Sequence, residues 1–160
     1  HELVEENQAL RNNGSGDFAP APEWQLGSTR SGRGMSIADV DNDGDLDIVV
    51  NNLAAPAQLF ENQLCTSGDS IEVDLRMPGT ANPYAIGATV TLRTDKGTLM
   101  RDMRAVSGYL SGDPARLHFG IPTGAKIEGL EVRWPDGAVS HVDAMPVHQL
   151  VTVTRTPPSP

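Results

Sequence analysis

The sequence predicts an all-β chain: a partial β-propeller blade region with a calcium loop, followed by a β-sandwich-like domain. Three observations predict it. Sixteen glycines and twelve prolines among 160 residues break the chain too often for long helices, and no helical period runs beyond a turn or two. Apolar and polar residues instead alternate in short runs. The cleanest is Ile71, Val73 and Leu75 between Glu72, Asp74 and Arg76, the mark of a half-buried strand. Lastly, Ala9-Leu10-Arg11-Asn12-Asn13 is echoed by Leu59-Phe60-Glu61-Asn62-Gln63 fifty residues later, a spacing that propeller repeats show.

Residues 1–64 form the predicted blade region, with 1–26 as the tail of one blade and 32–64 as the start of another. Asn12-Asn13-Gly14-Ser15-Gly16-Asp17 is a hairpin turn signal, and Gly27 to Gly34 reads as the loop between blades. The most informative stretch is Asp39-Val40-Asp41-Asn42-Asp43-Gly44-Asp45-Leu46-Asp47. Five carboxylates on alternate residues repel one another unless a cation neutralises them. Their spacing suits a hard, oxygen-preferring ion. Side chains at loop positions 1, 3 and 5 (Asp39, Asp41, Asp43) can converge on one point. Gly44 permits the sharp turn, and Asp45 at position 7 offers its backbone carbonyl. An EF-hand would close the shell with a glutamate at position 12, where this chain has Val50; Asp47 at position 9 can close it instead, and Leu46–Val50 then reads as a strand. The candidate metal residues are therefore Asp39, Asp41, Asp43, Asp45 and Asp47, and the ion is Ca2+. The plainer alternative is a solvated acidic turn, since Asp, Asn and Gly favour turns for their own reasons.

The sandwich-like domain is placed at 70–154. After the strand around Ile71–Leu75, Ala88, Val90 and Leu92 alternate with Thr89, Thr91 and Arg93. Asp95-Lys96-Gly97 then turns the chain into a strand over Thr98–Val106. Leu117 and Phe119 flank His118. Ile127, Leu130, Val132 and Trp134 mark a further strand, with Gly129 at a phase slip where a bulge fits. Pro135-Asp136-Gly137 makes a tight turn, Leu150–Thr154 is the last strand, and 155–160 is a loose, proline-rich tail. About seven short strands with turn signals between them suggest a sandwich.

Two resemblances add to this reading. Gly34-Met35-Ser36-Ile37-Ala38 running into Asp39-Val40-Asp41-Asn42-Asp43-Gly44-Asp45-Leu46-Asp47-Ile48-Val49-Val50 resembles the FG-GAP/VCBS repeat, a propeller blade unit with a calcium loop between its first two strands. The resemblance implies side-chain ligands at Asp39, Asp41, Asp43 and Asp47 and a carbonyl ligand at Asp45. Asn82-Pro83-Tyr84-Ala85-Ile86-Gly87-Ala88, Ser107-Gly108-Tyr109-Leu110-Ser111, Leu117-His118-Phe119-Gly120 and Val132-Arg133-Trp134-Pro135-Asp136-Gly137 together resemble the ASPIC/UnbV domain, which implies an extracellular β module and no particular chemistry.

The charge of −9, from 21 acids and 12 bases, is carried largely by the acidic loop, and no basic stripe is present for nucleic acid. No apolar run approaches the ~20 residues of a membrane-spanning helix. The start at His1, without methionine or leader, suggests a processed or partial product. Cys65, the single cysteine, excludes an internal disulfide and suits either a buried small residue or a bond to another chain. No serine lies in a nucleophile elbow, Gly32-Arg33-Gly34 does not continue into a dinucleotide fingerprint, and His118, His141 and His148 lack a shared metal spacing. No catalytic residues are assigned. The expected function is a non-catalytic, calcium-binding, extracellular or periplasmic module for adhesion or assembly, with protein partners or self-assembly. Two rivals are a glycan-binding module using Tyr109 and Trp134, and an accessory domain of a secreted enzyme. Arg101, Arg104, Arg116 and Arg133 form either a basic face or ordinary surface ion pairs.

Overall fold

A computed structural model describes residues 5–63 and 68–156. The fold is all-β, built of several sheets, none closed into a barrel. Its first seven strands are β1 (Glu5–Glu6), β2 (Leu10–Asn12), β3 (Phe18–Pro20), β4 (Thr29–Arg30), β5 (Gly32–Ala38), β6 (Asp47–Asn52) and β7 (Gln58–Phe60), with a short 3-10 helix at Pro22–Trp24. β2 and β3 form the expected hairpin. Its turn is held by the Asn12 and Asn13 side chains, which accept the backbone N–H groups of Gly14 and Ser15 at 2.8 Å, the usual way asparagine stabilises turns. β5, β6 and β7 make a three-stranded antiparallel sheet.

The interval 27–34 is not a plain loop: β4 pairs with β1, and β5 begins at Gly32. Glycine inside a strand often marks a close backbone approach, and Gly34 is such a case. A Cβ there would lie 2.4 Å from the carbonyl oxygen of Leu110. Along the same edge of β5 the Met35 N–H donates to Ser111 Oγ at 2.9 Å and the Ile37 N–H donates to Asp113 Oδ1 at 2.8 Å. The segment around 110–113 thus covers a strand edge that would otherwise present unpaired donors.

The remaining strands are β8 (Asp69–Arg76), β9 (Thr89–Thr94), β10 (Gly97–Asp102), β11 (Leu117–Ile121), β12 (Ile127–Arg133), β13 (Val139–Asp143) and β14 (Gln149–Thr154). They form two sheets, β10-β9-β12-β13 and β11-β8-β14, with β14 parallel to β8 and every other pair antiparallel. One core joins the sheets. Ile71, Val73, Leu75, Leu117 and Phe119 come from the second, and Val90, Leu92, Leu130 and Val132 from the first. Each large side chain so buried contributes about 1.5–3 kcal/mol, and the period-2 alternation of β8 and β9 supplies them. The register of β12 against β9 shifts between Ile127 and Gly129, where the bulge was expected. β10 stops at Asp102, short of the expected Val106. Its partner β9 begins only at Thr89, and Gly87 turns the chain away with φ of +91°.

The amino-terminal sheets have a thinner core. Of the apolar side chains on β5–β7, Val50 is buried, Ile37, Ile48 and Phe60 are half-buried, and Met35 is exposed. Among the described residues no helix is long and apolar enough to cross a membrane.

Arg155, just past β14, is tied down. Arg155 donates its N–H to the Arg76 carbonyl at 2.8 Å, and its guanidinium reaches Asp136 Oδ2 at 2.7 and 3.1 Å. The Arg155 hydrogen bond, helped by the Ala138 N–H, holds the Asp136 carboxyl below its usual range. A carboxyl with a depressed folded-state value stabilises the fold above its unfolded value, and that stabilisation is lost as pH falls through the lower folded one. Melting temperatures of wild type and Arg155→Gln should therefore differ at pH 7 and converge in acid, below the usual carboxylate range; a constant offset across the whole titration would contradict this. Residues 157–160 of the expected tail lie outside the described residues.

Candidate metal centre

The acidic loop connects β5 to β6. Asn42 and Gly44 take left-handed conformations, with φ of +62° and +97°, which these two residue types tolerate best. That winding points loop N–H groups inward at carboxylates. Asp39 accepts from Asp43 N (Oδ1, 3.1 Å) and Gly44 N (Oδ2, 3.0 Å), Asp41 Oδ1 accepts from Asp43 N at 3.3 Å, and Asp43 Oδ1 accepts from Asp45 N at 2.9 Å. Asp39, Asp41 and Asp43 each bring one carboxylate oxygen to within 4.8 Å of the other two.

So close a grouping of like charges is costly without a counter-ion. The Asp41 carboxyl is held above its usual range, first by lost hydration and then by the charges of Asp43, Asp47 and Asp39, against one opposing N–H from Asp43. Asp45 places its carboxylate oxygen Oδ2 out of solvent with no hydrogen-bond partner among the described residues. An all-oxygen donor set of converging carboxylates is what a hard divalent cation satisfies, so these residues fit Ca2+. Asp39, Asp41 and Asp43 would hold it through side chains. It would supply charge neutralisation and rigidity rather than chemistry.

Asp47 stands apart from the converging trio. It is 2% exposed, at the start of β6. Oδ2 accepts the Val40 N–H at 2.9 Å and Oδ1 accepts the Asn62 N–H at 2.8 Å. This carboxylate fastens the loop to the chain following β7.

His118 has a role that the sequence did not signal. On β11, its Nε2 lies 2.8 Å from the carbonyl oxygen of Gly44. Strand alternation identifies it only as polar between Leu117 and Phe119, and no local pattern indicates a contact 74 residues away. A groove of about 260 Å³ runs beside this contact, between Asp39 and Asp43 on one side and Glu72, Arg116 and His148 on the other.

Other singled-out residues settle differently. Trp134 is 2% exposed and donates Nε1–H to Ser140 Oγ at 2.8 Å, so it is a core residue and not a sugar platform. That removes the Tyr109–Trp134 glycan surface, although Tyr109 itself is exposed. His148 pairs with Asp69, and His141 lies near Glu131. Arg104 and Arg116 pair with Asp102 and Glu72, as ordinary surface ion pairs do, whereas Arg101 lies over the Phe119 ring. Cys65 lies outside the described residues.

Comparison with known proteins agrees with both halves of this architecture. The family model described as ASPIC and UnbV matches residues 79–159, just over half the chain, and that of the FG-GAP-like repeat matches residues 5–50. Among curated proteins, cartilage acidic protein 1 of Xenopus tropicalis is 33% identical over 112 residues, which is 68% of this chain and 17% of that protein. The Mus musculus protein of the same name is 33% identical over 111 residues (66% and 17%), and that of Homo sapiens 32% over 111 residues (66% and 16%). The chain thus spans about a sixth of the length of the curated relatives it matches. By these matches the chain belongs to the ASPIC and UnbV family and carries an FG-GAP-like repeat ahead of that domain.

Proposed function

We propose that this chain is a non-catalytic, calcium-binding extracellular module that serves adhesion or assembly through protein contacts. Residues 1–64 act as a blade region, 70–154 as the sandwich domain and 155–160 as a tail. The observation that carries the calcium reading is the convergence of Asp39, Asp41 and Asp43 oxygens within 4.8 Å on a loop that crowds like charges. Asp45, through its carbonyl, and Asp47, through the carboxylate that also accepts the Val40 and Asn62 N–H groups, complete the proposed set. The relatives' name, cartilage acidic protein 1, supports an extracellular setting, where calcium is abundant enough for modules that bind it weakly. A protein-binding role is supported by the 106–111 segment, where Val106, Tyr109 and Leu110 are each exposed, Tyr109 at 79%. An exposed tyrosine is a common anchor of an interface.

Thermal melts with calcium and with chelator test the reading. Free ion about a hundredfold above the dissociation constant stabilises by about 2.7 kcal/mol, or about 5–10 °C for a chain of this size. Asp43→Asn should abolish the shift, and Asp143→Asn, at an exposed strand end, should leave it intact. Equal melting temperatures with calcium and chelator would refute calcium binding.

A further inference from the structure

We infer that His118 is a positioning residue for the acidic loop, and that through it ion binding is coupled to the sandwich; this rests on the calcium reading above. A carbonyl oxygen only accepts, so the 2.8 Å contact between His118 Nε2 and Gly44 O requires the proton on Nε2, with the ring donating. Gly44 is the hub of the loop. Its N–H donates to Asp39 Oδ2 at 3.0 Å, and the N–H of the next peptide, Asp45, donates to Asp43 Oδ1 at 2.9 Å. The peptide unit joining residues 44 and 45 is therefore held at both ends, by His118 at its oxygen and by an ion-facing carboxylate at its nitrogen. Fixing that plane fixes the direction from which Asp43 is held.

The contact is seated on both sides. His118 lies on β11 opposite Glu72 of β8, within the sheet that closes the main core. A Cβ on Gly44 would lie 2.9 Å from Ser70 Oγ and 4.0 Å from His148 Nδ1, so the loop rests directly on the first residues of β8. His148 is locked there in turn, its N–H donating to Ser70 O and its ring meeting Asp69 Oδ1 at 3.0 Å. A loop held by a rigid strand loses less freedom when it binds an ion. By linkage the ion then strengthens the hold of the loop on the sandwich by the same factor.

Calcium titrations of the full chain by calorimetry, for wild type, His118→Phe and His118→Gln, test this. Removing the donor should weaken calcium by about five- to tenfold, and glutamine, whose amide N–H can reach the same carbonyl, should restore affinity to within about twofold. Hydrogen exchange read alongside should show calcium slowing exchange in β8 and β11 of wild type and the Gln variant but not of the Phe variant. Should the Phe variant unfold, His118→Val, a strand former without a donor, provides the same comparison. Wild type binding calcium with the Phe or Val variant within twofold of it, or the Gln variant as weak as either, would overturn the role of His118 alone. A wild-type chain that binds no calcium at millimolar concentration would overturn the calcium reading itself.

Discussion

Trp134→Ala is expected to lower stability by about 3–5 kcal/mol, the range for removing a large aromatic side chain from a packed core. Trp134 follows directly on β12, is 2% exposed, and belongs to the cluster that joins the two sandwich sheets. Its loss also removes the indole donor from Ser140, while the backbone bonds of the β12–β13 turn, Trp134 N to Ala138 O and Gly137 N to Trp134 O, remain available. Urea denaturation gives the number. Trp134→Phe should cost less, because it fills most of the volume and loses only the hydrogen bond. Tyr109→Ala should leave the midpoint almost unchanged, since that ring is exposed. A Trp134→Ala variant as stable as wild type would mean that the sandwich core is not where the fold places it.

Asp47→Ala should destabilise by about 2–6 kcal/mol. The carboxylate is buried and accepts from two backbone amides, Val40 and Asn62. Withdrawing an acceptor from each leaves a desolvation cost of about 1–3 kcal/mol per donor. Asp47→Asn retains one acceptor oxygen and should fall between alanine and wild type. A loss should persist in chelator, because the anchoring of the Val40 and Asn62 N–H groups needs no ion. Melting temperatures of the three proteins in chelator check this, and an Asp47→Ala variant matching wild type under those conditions would contradict it.

The parts of the fold legible in the sequence were those where one face alone is buried. β9 and the Leu117–Ile121 strand alternate because only their inner side chains meet the core; β8 alternates in polarity as well, although Ser70 and Asp74 on its outer face are also buried. The Gly129 bulge was legible for the same reason, as a slip in that alternation. β13 has no apolar run to announce it: it lies at the sheet edge with an exposed face, and pairing with β12 defines it. β4 and the start of β5 were obscured by glycines that usually signal loops, whereas Gly34 is glycine because Leu110 O comes so near. In the acidic loop, alternate aspartates alone announce a grouping. Spacing could not distinguish Asp47, which faces two backbone amides, from the three carboxylates that converge. Nor could it bring His118 to Gly44, because a contact between residues so far apart in sequence depends on how the loop rests against β8. Asp95, which reads as a simple turn residue, in fact bonds to Lys126 through both its N–H and its carboxylate.

The most direct measurement of the central claim is the calcium stoichiometry of the folded chain, read by isothermal titration calorimetry at constant ionic strength. One ion per chain is expected, with a dissociation constant on the order of 10⁻⁴–10⁻³ M, as for extracellular modules, and with binding lost in both Asp41→Asn and Asp43→Asn while their folds remain intact. A flat titration, or weak binding that survives both substitutions, would contradict it.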